Sequence, residues 1–147
     1  VVIVTQNVDD LHERAGSHHI IHLHGELLKM RGVDDPYTLY DCTDDIKVGD
    51  LSPSGAQLRP HMVWFGEDVP MIVKAAEEVE TADIVLIVGT SLQVYPAAGL
   101  MNCAEEGTPI YYVDPRPSIS SKNNITVIKD VASTGVAKAI ELIKDLK

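Results

Sequence analysis

Short apolar runs rich in β-branched residues alternate along the chain with stretches of helical period. The runs at 1–4, 20–23, 61–64, 84–88, 110–113 and 126–128 are three to five residues long and contain no Asp, Glu, Lys or Arg. Unbroken runs of this length suit strands covered on both faces. Between them, Pro70 suits the first turn of a helix running to about Glu80, and Pro96 suits another through Glu106, closed by Gly107. A last helix is expected from about Ser133, with Val136, Ile140 and Ile143 on the face that packs against the sheet. Strand and helix in alternation predict the α/β class, with parallel strands joined by crossover helices. Residues 26–58 break the pattern with Gly32, Pro36, Gly49, Pro53 and Gly55, and are expected to form a small inserted segment within one domain spanning 1–147. From 34 to 50 this segment holds six Asp and one Lys, a net −5. It reads as a solvated flap, because Asp41, Asp44 and Asp45 lack the alternating ligand spacing and closing Glu of an EF-hand.

A length of 147 residues fits one domain able to bury a core. Twelve basic against 22 acidic residues leave −10, a field that repels phosphate backbones, so nucleic acid is not an expected partner. Cys42 and Cys103 are too few for a disulfide framework or a four-cysteine zinc site, which points to a reducing, cytoplasmic setting. The longest apolar run, 84–89, is far short of the roughly 20 residues that span a bilayer. No membrane partner is expected. The run at 1–4 reads as a strand whose neighbours come from earlier sequence, so an N-terminal companion segment of the same protein is expected.

Four segments carry candidate chemistry. The first, Thr5 Gln6 Asn7 Val8 Asp9, follows a strand and precedes a short helical stretch ending near Ala15 and Gly16. Ligands of open parallel sheets sit beyond the carboxyl ends of strands, yet Asn7 and Asp9 equally suit helix capping. The second, His18 His19 Ile20 Ile21 His22 Leu23 His24 Gly25, places His22 and His24 on one strand face. Either the pair ligates a metal with ligands from elsewhere, or His24 is a general base beside a glycine that lets backbone approach. In the third, Arg59 Pro60 His61 Met62 Val63 Trp64 Phe65 Gly66 Glu67, the adjacent Trp64 and Phe65 suit either core packing or an apolar wall for a bound side chain. In the fourth, Gly89 Thr90 Ser91 closes a strand with backbone and hydroxyl donors of the sort that hold phosphate, and Asp114 closes the next strand where an acid commonly meets ribose hydroxyls.

In this order the segments resemble the sirtuins, NAD-dependent protein lysine deacylases. The resemblance is carried by Thr5 Gln6 Asn7 Val8 Asp9 with Leu11 His12 and Ala15 Gly16, by His24 Gly25, by Arg59 Pro60 with Phe65 Gly66 Glu67, and by Gly89 Thr90 Ser91 Leu92 with Val94 and Pro96 Ala97 Ala98. It implies a partial Rossmann-like parallel sheet with helices on both faces and the insertion in place of a zinc module. It also implies NAD as cofactor and an acyl-lysine protein or peptide as partner. By the same resemblance Gln6, Asn7 and Asp9 line the ribose and nicotinamide pocket, with Asn7 and His24 as the catalytic pair and His24 as the base. Gly89, Thr90 and Ser91 meet phosphates and ribose, Asp114 the adenosine ribose, and the backbone near Ala132 the adenine. Val63 and Phe65 line an acyl-lysine tunnel, while Gly66, Glu67 and Val94 border the peptide as an added strand.

The resemblance further implies a reaction giving nicotinamide, O-acyl-ADP-ribose and free lysine. Two departures qualify it. The family's phosphate-binding Gly-Ala-Gly loop belongs upstream of these motifs, so the chain is expected to hold part of an active site and to be inactive alone. The zinc module's two cysteine pairs are represented by Cys42 only, as in zinc-free bacterial members, so no metal is expected. A non-catalytic NAD or ADP-ribose binding module, and a metal-dependent hydrolase using His22 and His24, are the competing expectations.

Overall fold

The computed structural model describes residues 1–146. They fall into two compact units, the first Val1–Ile72 and the second starting at Val73.

In the first unit, β1 (Ile3–Thr5) and β2 (Ile20–His22) run parallel, with Ile3 opposite Ile20 and Thr5 opposite His22. The crossover between them carries the single-turn helix α1 (Leu11–Arg14). The segment expected to be a flap instead builds an antiparallel sheet in the order β4-β3-β5, from β3 (Gly25–Gly32), β4 (Leu39–Asp41) and β5 (Leu58–Met62). Its aspartates are turn acceptors and an ion-pair partner. Asp35 Oδ1 accepts from the Tyr37 and Thr38 amides, Asp50 Oδ2 accepts from the Lys47 amide, and Asp41 pairs with Lys29 at 2.7 Å. A local acceptor fixes a turn without a core, and this is why the segment orders despite its charge.

The strand expected at 61–64 lies instead at Leu58–Met62. Pro60 lies within it opposite Met30, and β5 pairs with β3 alone, so it is an edge strand, the position to which prolines inside sheets are confined. His24 lies past the end of β2, in the turn leading to β3, and not on a strand face with His22.

In the second unit, α2 begins at the boundary (Ile72–Glu80), two residues after Pro70. Strands β6 (Val85–Val88), β7 (Ile110–Val113) and β8 (Ile125–Ile128) form a parallel sheet in that order. Val85, Ile110 and Ile125 share one register line, and Val88, Val113 and Ile128 another. All four β7 residues are buried, as a central strand's unbroken apolar run requires. The parallel sheet and its helices make the α/β fold Rossmann-like.

The helix expected from Pro96 to Glu106 is a shorter 3-10 helix, Ala97–Cys103, followed by extended Ala104. Gly99 and Asn102, both poor helix formers, fall inside it, and 3-10 geometry is used in such short pieces.

Helix α3 (Ala132–Lys144) packs on the sheet, but by a different face from the one expected. Its buried residues are Gly135 and Ala139, and Ile143 joins them against Tyr111, Val113 and Ile128, whereas Ile140 is 43% exposed. Small residues at i and i+4 let the helix descend onto Val113. A methyl group on Gly135 would lie 2.4 Å from Val113 Cγ1 and 3.2 Å from Asp130 Cβ.

Among the described residues no helix is long and apolar enough to cross a membrane. Ala in place of Gly inside a helix ordinarily gains about 1 kcal/mol, but forcing a methyl into a closed core costs about 1–3 kcal/mol. Val113 is fully buried and cannot step aside, so the second effect wins. Gly135→Ala is expected to lower stability by ~1 kcal/mol in urea unfolding, against the usual sign of a helical Gly→Ala change.

Candidate functional site

In the first unit the predicted residues gather where three chain segments end. β1 stops at Thr5, whose Oγ1 accepts the Asn7 amide at 3.1 Å and so turns the chain out of the strand. Asp9 Oδ1 accepts the Leu11 amide at 3.1 Å in an Asx turn just ahead of α1, whose N-cap is Asp10 with no side-chain cap bond, and Asn7 presents an exposed side chain.

His24 Nδ1 lies 3.2 Å from the Gln6 carbonyl oxygen. A carbonyl only accepts, so Nδ1 carries the hydrogen, and in the neutral ring the Nε2 lone pair faces away from that bond. The His24 carbonyl in turn accepts the Val63 amide at 3.0 Å, which ties the turn after β2 to the end of β5. Gly25, opposite Met62 of β5, makes this close approach possible. At φ +86°, a Cβ there would lie 2.0 Å from the His61 carbonyl oxygen, so only glycine fits beside β5. His61 itself has a buried Nδ1 with no partner among the described residues, and burial pushes its pKa down, favouring a neutral ring.

His22 has a different task. Its Nε2 meets Glu13 Oε1 at 2.7 Å and its Nδ1 faces the Asn7 carbonyl at 3.4 Å, so both nitrogens point at acceptors and neither is free to ligate. The hydrogen bond from His22 holds the Glu13 carboxyl below its ordinary value. Among the described residues, no group of three or more His, Cys, Asp or Glu side chains is arranged to hold a metal ion. Cys42 Sγ donates to the Asp44 carbonyl at 3.3 Å.

The chain beyond β5 makes a turn closed by the Glu67 amide on the Trp64 carbonyl at 3.0 Å, with Gly66 at φ +89° in the position that demands a positive value. Trp64 is 54% and Phe65 98% exposed, so neither is a core residue. Arg59 grips Glu67 with two parallel bonds, 2.6 and 3.1 Å, and Glu67 Oε2 also accepts the Trp64 amide at 3.0 Å. These bonds, the Arg59 pair first, pull the Glu67 pKa from 4.5 to about 2. Arg59 and Glu67 both stand in the motif read from the sequence, but the fork between them was not anticipated. The signal that could have found it was an Arg and a Glu flanking a strand end and a Gly turn.

In the second unit, β6 and β7 end side by side. The Gly89 amide donates to the Val113 carbonyl at 2.9 Å, and Asp114 follows directly. Gly89 has φ +61° with open space where a Cβ would point. The fully buried Tyr112 donates its hydroxyl hydrogen to the Thr90 carbonyl at 2.8 Å, anchoring the Gly89-Thr90-Ser91 turn from below, a support not anticipated from sequence. Asp114 Oδ1 accepts the Arg116 amide at 2.7 Å, which sets the plane of its carboxylate. No side chain caps the N-terminus of α3, where Ala132 is the first helical residue. Val94, 44% exposed, lies between the turn and the 3-10 helix, its carbonyl taking the Ala98 amide.

A parallel α/β frame with a glycine–hydroxyl turn and an acid at adjacent strand ends, together with a histidine of fixed tautomer, defines a Rossmann-like protein with a candidate general base. Residues 1–96 match the model of the Sir2 family. The chain belongs to that family. It is 47% identical over 150 residues to an NAD-dependent protein deacylase of Bacteroides thetaiotaomicron, covering 97% of this chain and 64% of the relative. It is also 54% identical over 116 residues to an NAD-dependent protein deacylase of Helicobacter pylori, covering 79% of this chain and 50% of the relative. A solved Sir2 homologue–NAD complex superposes with a TM-score of 0.79 at 32% identity, covering 99% of this chain and 59% of that one. The chain thus spans between half and two-thirds of the length of these relatives.

The Arg59–Glu67 fork yields a pH prediction. A carboxyl with a depressed folded pKa adds stability that is complete above its unfolded value, 4.5, and is lost as pH falls through about 2. In E67Q the melting temperature, followed by circular dichroism, is expected to fall less steeply than in the parent across this window.

Proposed function

We propose that the protein removes acyl groups from lysine side chains of proteins with consumption of NAD, releasing nicotinamide, O-acyl-ADP-ribose and free lysine. The observation that carries this is the fixed tautomer of His24, which leaves Nε2 as the proton acceptor at the mouth of the Gln6–Asp9 segment.

The residues present suit NAD. Gly89 offers a strand end that a Cβ does not close, Thr90 and Ser91 supply hydroxyls beside it, and Asp114 supplies a carboxylate for ribose. When bound, NAD supplies a ribose activated at its anomeric carbon, which takes the acyl oxygen as nicotinamide departs. His24 Nε2 takes a proton from a ribose hydroxyl while Nδ1–H stays on the Gln6 carbonyl, so the ring does not turn as its charge changes. Asp9, oriented by its bond to the Leu11 amide, holds the carboxamide of nicotinamide, with Gln6 and Asn7 lining the same pocket. Gly89, Thr90 and Ser91 hold the phosphates and nearby ribose, and the backbone near Ala132 meets adenine.

Val63 and Phe65 form walls for the acyl-lysine, and Gly66, Glu67 and Val94 border the peptide. Phe65, almost wholly in water, is an apolar surface with no partner in its own turn, as a substrate wall requires. A metal-dependent hydrolase built on His22 and His24 is disfavoured because both His22 nitrogens are engaged. A cytoplasmic, bacterial setting goes with the same reading, supported by two free cysteines and by the bacterial relatives.

The decisive test is acyl-peptide turnover by the whole protein with and without NAD. His24→Ala is expected to reduce kcat by about 10²–10⁴-fold with an unchanged melting temperature, since a positioned general base contributes that much. Undiminished turnover in a folded His24→Ala protein rejects the assignment.

A further inference from the structure

The turn after β5 poses a problem of order. Trp64 and Phe65 are exposed and Gly66 adds no side chain, so apolar packing does not hold the turn. What holds it is polar. Arg59 Nη1 and Nη2 donate to the two oxygens of Glu67, and Nη2 donates also to the Met62 carbonyl at 3.2 Å. Glu67 Oε2 takes the Trp64 amide as well, and the Trp64 carbonyl takes the Glu67 amide. One guanidinium therefore bridges the last residue of β5 to the far side of the turn, and one carboxylate closes it from within. A planar fork matches a carboxylate in a way a point charge does not.

This arrangement turns the acidic group inward. Both Glu67 oxygens are occupied and its charge is compensated by Arg59, so little field is left for a basic partner. Meanwhile the Val63 amide, one residue past β5, sits on the His24 carbonyl, so the same turn is anchored at the candidate base.

We infer that the Arg59–Glu67 pair is a positioning device that holds the Trp64–Phe65–Gly66 turn in the shape that receives the acyl-peptide, and that Glu67 does not itself read the charge of that peptide. The inference rests on the deacylase reading for what docks there, but not for the existence of the clamp. Without the clamp, peptide binding must supply the ordering of one or two residues, which corresponds to a KM about tenfold higher.

The test compares the parent with E67Q and R59K in the whole protein, each shown to be folded by circular dichroism. Two acetyl-lysine peptides serve as probes, one flanked by Arg and Lys and one flanked by neutral residues. Positioning predicts the same rise in peptide KM, about tenfold, for both peptides, with a smaller effect on kcat. R59K should follow E67Q, because lysine keeps the charge but not the fork. The only tryptophan in the chain, Trp64, reports independently: its steady-state fluorescence anisotropy should fall in both variants. A KM rise confined to the basic peptide and removed by high salt overturns the inference, because that is direct charge recognition. Unchanged Trp64 anisotropy in both variants also overturns it. Should the parent fail to deacylate either peptide, the functional reading falls, and the anisotropy of Trp64 still decides whether the clamp exists.

Discussion

The first unit depends on a close approach of two backbones at Gly25. With 2.0 Å between an added Cβ and the His61 carbonyl oxygen, no other residue lets the chain leave β2 and lie opposite Met62 of β5. The approach places His24 where its ring reaches the Gln6 carbonyl on one side and its own carbonyl reaches the Val63 amide on the other. Three segments distant in sequence are thereby fixed to one another by bonds that each use a main-chain partner. Backbone partners suit this task, since they leave the rest of each side chain for a ligand.

The second unit solves a related problem by register. Because Val88, Val113 and Ile128 share one line across the sheet, the residues that follow them leave at the same level. Gly89 and Asp114 are neighbours for that reason alone. Tyr112 faces the other way from Val113 in the same buried strand, and its hydroxyl is satisfied by the Thr90 carbonyl. A tyrosine buried to this degree needs such a partner, and the carbonyl that meets the need belongs to the turn that requires support.

Much of this was legible in the sequence, and the failures share a cause. Unbroken apolar runs located β6, β7 and β8 to within a residue or two, although only the central β7 is buried on both faces and β6 leaves Leu86 and Val88 each 37% exposed. The face of α3 was misread, since periodicity weighs large apolar side chains whereas the contact is made by Gly135 and Ala139, whose smallness is what permits it. The strands of the antiparallel sheet within 26–58 were read as a flap because they are polar and separated by turn residues, and the strand expected at 61–64 was displaced because Pro60 falls inside β5. The sequence names the motif residues but not the bonds that hold them. Arg59, Tyr112 and the Thr5 hydroxyl support the site through partners that only the fold brings near.

The contrast between His22 and His24 shows how the fold divides labour between two identical side chains. Two residues apart, they differ in what their nitrogens meet. His22 has a carboxylate on one nitrogen and a carbonyl on the other, and an imidazole so placed is a cross-link between α1 and β2. His24 has a peptide carbonyl on its Nδ1, a neutral dipole that fixes which nitrogen bears hydrogen without supplying a second charge. A carboxylate in that position would stabilise the imidazolium and weaken the ring's release of the proton it had gained. The peptide carbonyl that stands there instead fixes Nδ1 as the donor without adding a charge, and its position follows from where the chain turns at Gln6.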